Sequence, residues 1–438
     1  MKLTINRIGK VKHAEIVLDG ITVIAGKNDT GKSTIGKTLF ALFGALSNMD
    51  ERISKERKQG VVAACRKILY EFENSGKVGI SWLQKTESAS SNLAKLVIDE
   101  LNESGEVKET RLTQSIERVV SGCFKDDIVG ETLADVCARI AASIMNVVKV
   151  PSEQIALGVL SGYFASVFYA QVCTQDNRTD DTTVLVQIKD KAMEVVFRDD
   201  TCVACQTSIQ LTNHAWFIGD PLLIDRMKTP RESNPMDTDL KAALTTSYGE
   251  DPYGGVIEGV LAREKLDEIT DVLHNVVAGN VIEESEMGFF LTISGAERPI
   301  EFNNLSTGLK AFVILKMLIE RRKLKDRDVL ILDEPEIHLH PEWEEVYAHL
   351  VVLLQKAFGL TILITTHSIG FLEWLEYYSQ KLGIADKCRY YLAQGVGMDV
   401  VFKDVSQSTE EIYAQMVRPG VKLDRLRYEM EKDNDDEF

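Results

Sequence analysis

Leu3 to Ile8 and Ala14 to Leu18 carry apolar residues at short-strand spacing, with Gly9 and Lys10 between them, and predict an antiparallel pair. Asp19-Gly20 then turns the chain into a β-branched run, Ile21, Val23 and Ile24. From Thr34 to Phe43 the apolar residues switch to helical spacing, so the first part of the chain reads strand, strand, strand, loop, helix. Between about Asp50 and Asn177 the helical period dominates, in Ile53 to Phe72, Ala94 to Leu101, Leu112 to Val120 and Ile128 to Val147. Pro151 and several glycines interrupt a later stretch, Ile155 to Val172. None of these segments keeps a heptad seam for long, so no long coiled-coil arm is predicted.

Alternation returns in Thr183 to Ile188 and Ala192 to Phe197, a hairpin around Lys189 to Lys191, and Ser208 to Leu211 and Trp216 to Ile218 read as further strands. Arg226 to Tyr253 is rich in Pro, Asp, Asn and Ser and predicts an exposed loop that orders against a partner. Val256 to Val277 is an amphipathic helix, followed by a strand pair at Gly288 to Ile293 and Arg298 to Phe302. Ala311 to Ile319 is a long apolar helix, and the runs at Val329 to Leu332 and Leu360 to Ile364 are apolar throughout, as strands buried on both faces are. A helix over Phe371 to Leu382, strands at Arg389 to Ala393 and Val400 to Val405, a helix over Glu410 to Val417 and an acidic tail from Glu429 to Phe438, read as disordered, complete the chain.

The loop after the third strand concentrates the chemistry. Gly26, Lys27, Asn28, Asp29, Thr30, Gly31, Lys32 and Ser33 spell a P-loop, with two glycines bracketing four residues before Lys and Ser. The glycines let the backbone turn its N–H groups inward on phosphate oxygens, and the following helix adds the positive end of its dipole. Lys32 then reaches the β- and γ-phosphates, and the Ser33 hydroxyl ligates Mg²⁺.

Three later motifs stand where strands end or helices begin. Leu305-Ser306-Thr307-Gly308-Leu309-Lys310 opens a helix, where a hydroxyl and free N–H groups make a second anion site; alone, it is equally an ordinary helix cap. The apolar run to Leu332 ends in Asp333 and Glu334, at the carboxyl end where α/β sheets bind ligands. There Asp333 stands behind Mg²⁺, while Glu334 faces the γ-phosphate and polarises water. The second run ends in Thr365-Thr366-His367-Ser368, which places His367 to donate to the γ-phosphate.

Composition narrows the partners. At 438 residues the chain is long enough for two lobes, and no stretch is long and apolar enough to span a bilayer, so the cytosol is the expected compartment. A net charge of -17 disfavours non-specific coating of DNA; any DNA contact would run through a local basic patch, at Arg52 to Lys58 or Arg321 to Arg327. The seven cysteines have no disulfide spacing, and the single CxxC, Cys202 and Cys205, lacks the second pair that a zinc site needs.

The order of the four motifs, GKNDTGKS, LSTGLK, LILDEPEIHLHP and ITTHS, resembles the ABC-type ATPase head shared by transporters, SMC and RecF-like DNA-repair proteins, and OLD-like ATPases. The resemblance implies an α/β fold with a mixed central sheet flanked by helices. Residues 1–49 and 288–428 would form the head and 50–287 a large, mainly helical inserted lobe, with the strands around 183–218 open to assignment to the head; 429–438 would be the tail. It further implies ATP and Mg²⁺ as cofactors, held by the P-loop with Lys32, Ser33 and Thr34. Asp333 would be the metal partner, Glu334 the water-activating base and His367 the switch histidine. Ser306 and Gly308 would contact nucleotide in trans, across a homodimer. The family's glutamine-loop residue has one candidate here, Gln84.

Two departures from the transporter pattern, Leu309-Lys310 after Gly308 and Ile337-His338-Leu339-His340-Pro341 after the acidic pair, look instead like OLD-like ATPases of DNA metabolism and anti-phage defence. His338 and His340 are read as shaping the loop at the dimer seam. The insert between the P-loop and Ser306 has RecF-like size, and no nuclease-type constellation remains once the ATPase motifs are assigned. The resemblance thus implies the ATPase subunit of a Septu- or PARIS-type defence system, working with a separate nuclease or toxin effector. Two alternatives stand beside it: a RecF- or SMC-like clamp that closes on DNA, and a scaffold that holds ATP with negligible turnover.

Overall fold

The computed structural model describes residues 1–73, 80–124, 131–174, 180–227, 234–245, 267–277, 279–284, 288–293, 297–396 and 399–435. The chain divides into two compact units: Met1–Ser47 with Ser161–Phe438, and Asn48–Leu160.

In the first unit a six-stranded sheet holds the site. Its strands are β3 (Ile21–Gly26), β7 (Ala215–Ile218), β11 (Val329–Asp333), β12 (Thr361–Thr366), β13 (Cys388–Val396) and β14 (Asp399–Asp404), in the spatial order β14-β13-β3-β12-β11-β7. All neighbours pair in parallel except the edge pair β13 and β14. The inner strands are buried on both faces, which is why they read as unbroken apolar runs. Helix α1 (Lys32–Leu46) lies close under this sheet at Gly36, where a Cβ would stand 2.9 Å from Ile331 Cγ2. Across the core lie α9 (Thr307–Glu320) and α10 (Pro341–Phe358). Helix α9 is buried nearly all round, including Lys310, whose ammonium is neutralised by Asp225 at 2.8 Å.

A second, antiparallel sheet runs β2-β1-β4-β5-β6, from β1 (Lys2–Ile8), β2 (Val11–Val17), β4 (Thr182–Ile188), β5 (Lys191–Arg198) and β6 (Thr201–Thr207). The strands around 183–207 therefore continue the N-terminal hairpin. Strand β6 replaces the strand expected at Ser208 to Leu211. Asp199 and Asp200, with φ of 49° and 61°, make a tight turn that sends the chain straight back along β5. A third sheet, β10-β9-β8, comprises β8 (Asn280–Glu284), β9 (Gly288–Thr292) and β10 (Ile300–Glu301).

The expected exposed loop at Arg226 to Tyr253 is corrected in its described part. Residues Pro235–Thr245 form α7, which buries Met236, Leu240, Ala243 and Leu244 at helical spacing, the last three in the main core. The polar residues that suggested a loop are its cap: the Asn234 side chain accepts from Met236 N at 3.0 Å, and Pro235 opens the first turn. Residues 228–233 and 246–253 lie outside the described residues, as does the first part of the helix expected from Val256; residues 267–276 form α8. At the C-terminus, α11 (Ile369–Lys381) and α12 (Glu410–Asp435) follow, and α12 extends into the segment expected as a disordered tail.

The second unit is helical, with α2 (Met49–Glu73), α3 (Ile80–Ser104), α4 (Glu109–Phe124) and α5 (Glu131–Val148), and its compact extent is shorter than the expected lobe of 50–287. It has its own core, including Leu69, Leu93, Ile116, Phe124 and Ile140. Helix α2 meets α5 at Gly60, where a Cβ would lie 2.9 Å from Val147 Cγ1. Helix α6 (Ser152–Phe168) carries the chain from one unit to the other. No described helix is long and apolar enough to cross a membrane.

Candidate functional site: the carboxyl edge of the parallel sheet

Because β3, β12 and β11 are adjacent and parallel, the segments that follow them emerge side by side at one edge of the sheet. The P-loop follows β3, His367 follows β12, and Asp333 ends β11. Motifs separated by hundreds of residues are thereby brought within side-chain reach.

The P-loop leaves β3 at Gly26, packed so closely on β13 that a Cβ would stand 2.6 Å from the Ala393 carbonyl oxygen. Asp29 and Gly31 then take left-handed conformations (φ 65° and 72°), and Gly31 caps α1. Such alternation turns successive N–H groups to one side, the geometry of an anion nest. Thr30 fixes the loop by donating to the Lys27 carbonyl at 2.8 Å, and Asp29 pairs with Lys10 from the β1–β2 turn. Thr34 takes its place in the first turn of α1, its carbonyl accepting from Thr38 Oγ1 at 2.7 Å.

Lys32 is 3% exposed. Its ammonium donates to the carbonyls of Gly26 at 2.9 Å and Lys27 at 2.7 Å, and lies 3.4 Å from Glu334 Oε1. Glu334 itself is left-handed at φ 50° and ψ 54°, a conformation that costs a residue with a side chain about 1–2 kcal/mol. Two bonds hold it there: its N–H donates to the Thr365 carbonyl and to Thr365 Oγ1, both at 3.1 Å. Thr365 Oγ1 in turn donates to Asp333 Oδ1 at 2.6 Å, across the Asp333–Thr365 register pair of β11 and β12. One threonine thus orients both carboxylates.

His367 Nδ1 lies 3.7 Å from Glu334 Oε2 and 3.3 Å from Glu336 Oε1. Glu336 is buried and also accepts from Thr366 Oγ1 at 2.6 Å and from the His367 N–H at 2.9 Å. Burial pushes the Glu336 carboxyl up from its ordinary range, while these donors pull it down. Thr365 and Glu336 are the working residues that the motif reading passed over.

Two AAA-domain family models match the chain. One, described as an AAA domain, covers residues 2–138; the other, described as an AAA domain, putative AbiEii toxin, Type IV TA system, covers residues 221–373. They fall on the segments that supply the P-loop and the later motifs. Both descriptions name an AAA domain, and the fold is a mixed α/β one with the P-loop at the carboxyl edge of a parallel sheet. Solved structures similar to this head include an Smc head bound to the C-winged helix domain of ScpA (12% identity, 94% of this chain and 98% of that chain, TM-score 0.43). They also include the SMC head domain from Thermotoga maritima (12% identity, 92% and 98%, TM-score 0.38). A third is an Smc head with an extended coiled coil bound to the C-terminal domain of ScpA derived from Pyrococcus furiosus (10% identity, 95% and 98%, TM-score 0.40). These likenesses are too loose to carry a conclusion. No curated protein matches the chain.

The remaining expected site residues of the head lie apart from the P-loop. Ser306 caps α9, its hydroxyl accepting from Leu309 N at 3.3 Å. Gly308 admits no side chain, since a Cβ would lie 2.8 Å from the His338 carbonyl oxygen and 3.2 Å from the Trp343 ring. Ser306, Thr307 and Gly308 line an open recess of about 340 Å³ with His338, His340 and Trp343, and no P-loop residue lines it. His338 also lines a smaller cavity with Asp333 and Glu334, so the turn after the acidic pair borders both places. His340 caps α10, its Nδ1 accepting from Glu342 N at 3.4 Å. Gln84, the glutamine-loop candidate, is an exposed residue of α3.

As to metals, no group of three or more His, Cys, Asp or Glu side chains poised for an ion occurs among the described residues. Mg²⁺ needs no all-protein cage: it takes one or two protein oxygens and completes its shell with phosphate and water. Ser33 and Asp333 are oxygens of the right kind. In β6 the Cys202 thiol is pushed up to about 12 by burial and that of Cys205 is also raised, so neither is a ready thiolate ligand.

Proposed function

We propose that the chain is an ATP-binding and hydrolysing ABC-type ATPase that acts as a dimerising switch. The observation that carries this reading is the convergence of Lys32, Glu334 and His367 from three adjacent parallel strands. A cation, a carboxylate and a ring nitrogen within 3.4–3.7 Å at a glycine nest match the needs of a terminal phosphate and an attacking water. Bound Mg²⁺ would supply charge neutralisation, held by Ser33 and Asp333 with Thr365 locking the aspartate. Lys32 holds phosphate, Glu334 orients and polarises water, and His367 meets the γ-phosphate end.

The half of the site at Ser306 and Gly308 sits in an open recess away from the P-loop of its own chain. A second copy placing its nucleotide against this recess would complete both sites, with two ATP molecules between two chains. Substitution of Glu334 by Gln keeps the side-chain shape and removes the base. The expected outcome is loss of steady-state hydrolysis by about 100-fold or more with ATP still bound; hydrolysis at the parent rate would refute the role of Glu334.

For the output, a separate nuclease or toxin effector is the favoured reading, supported by the description of the model matching residues 221–373. The RecF/SMC-like DNA clamp is the second reading, supported by the motif order that resembles that group. One basic residue proposed for a DNA patch is already committed: the Arg57 guanidinium donates to the carbonyls of Val148 and Val150 at 2.9 Å and to Ser152 Oγ at 3.1 Å. Salt-steep DNA binding by the isolated protein would favour the clamp, and stoichiometric co-purification of an adjacent gene's product would favour the effector.

A further inference from the structure

Glu336 is a carboxylate whose position neither the P-loop chemistry nor packing explains. Its residue is 4% exposed, and burying a charge where an apolar side chain would fit is costly unless the charge is used. Its use is lopsided. Oε1 receives the Thr366 hydroxyl at 2.6 Å and the His367 N–H at 2.9 Å and lies 3.3 Å from His367 Nδ1, while the buried Oε2 has no hydrogen-bond partner. Every one of these contacts goes to the Thr366–His367 corner at the end of β12.

The ring they hold is open on its other side. The His367 side chain is 41% exposed, and its Nδ1 edge faces two carboxylates, Glu336 Oε1 and, at 3.7 Å, Glu334 Oε2. An imidazole nitrogen directed at a carboxylate oxygen carries the proton, and the hydrogen bond at one nitrogen decides the state of the other. The Ser368 hydroxyl does not compete for the ring, since it donates to Glu344 Oε2 at 2.8 Å and caps α11 through Phe371 N.

We propose that Glu336 is a positioning residue for His367: it accepts a hydrogen bond from Nδ1–H, fixes the ring's rotamer and, by its negative charge, favours a second proton on Nε2, the nitrogen that then donates to a terminal phosphate. What Nε2 then does rests on the ATPase reading; how the ring is held does not. The arrangement is stiff, because the Thr366 hydroxyl and the His367 N–H already hold the buried carboxylate in place.

The test is long-range ¹H–¹⁵N spectroscopy of the histidine side chains in the full, nucleotide-free chain, with His367→Asn identifying the His367 signals. The parent should carry the His367 proton on Nδ1; a neutral ring protonated on Nε2 would overturn the proposal without any further variant. Glu336→Met, which removes the acceptor at similar volume, should release the ring to the Nε2–H form, and Glu336→Gln, which keeps an acceptor oxygen, should retain Nδ1–H. In steady-state hydrolysis, Glu336→Met should lower kcat by about 10–100-fold with KM changed less than about threefold, and Glu336→Gln should recover most of the loss. Unchanged His367 signals in Glu336→Met, or a Gln variant as impaired as the Met variant, would overturn it. A parent chain that hydrolyses no ATP would sink the ATPase reading and leave the tautomer result standing.

Discussion

Lys32 spends its ammonium on two loop carbonyls and Glu334, so the P-loop is preassembled around a buried charge. Lys32→Ala removes the cation that phosphate would meet and should abolish ATP binding in equilibrium dialysis; undiminished binding would contradict the P-loop reading. Thr365 offers a finer test, because its one hydroxyl supports Asp333 directly and the left-handed Glu334 through its N–H. Thr365→Val keeps the shape and should reduce kcat by about 10–100-fold while ATP binding without Mg²⁺ is preserved; a variant with parent kcat would show that the strand pairing alone orients the carboxylates. At this scale the convergence of Gly26 to Ser33, Asp333-Glu334 and His367 was legible in the sequence, because each stands in a contiguous motif at the end of a buried strand. Thr365 and Glu336 stood in the same motifs unrecognised. Their work depends on which residue lies across from Asp333 in the next strand, and register is not visible in one strand's sequence.

Among the elements, α9 is the most exacting. Its N-terminus presents Ser306, its fourth residue, Lys310, is buried against Asp225, and Gly308 is pinned against the His338 carbonyl. Lys310→Met leaves Asp225 without its cation and should destabilise the head by about 2–4 kcal/mol in urea unfolding. The double variant Lys310→Met, Asp225→Leu should recover much of that loss, whereas equal loss in both would assign the cost to packing. Elements with a strong period were legible, including the buried strands β3, β11 and β12. Helix α7 was not, since its Asn234-Pro235 cap and the polar residues between its four buried apolar positions read as a loop, and β6 depended on a turn at Asp199 and Asp200 that alternation does not reveal.

At the scale of the whole molecule, the first unit carries the P-loop site at its sheet edge and, apart from it, an open recess at Ser306 and Gly308 that the switch reading assigns to a second copy's nucleotide. The helical unit 48–160 has a core of its own. The switch reading then makes dimerisation conditional on nucleotide. Sedimentation velocity of Glu334→Gln is the most direct measurement. The predicted result is a monomer without nucleotide and a dimer with ATP and Mg²⁺, returning to monomer when Lys32→Ala is added. The same sedimentation coefficient with and without saturating ATP and Mg²⁺ would contradict the account.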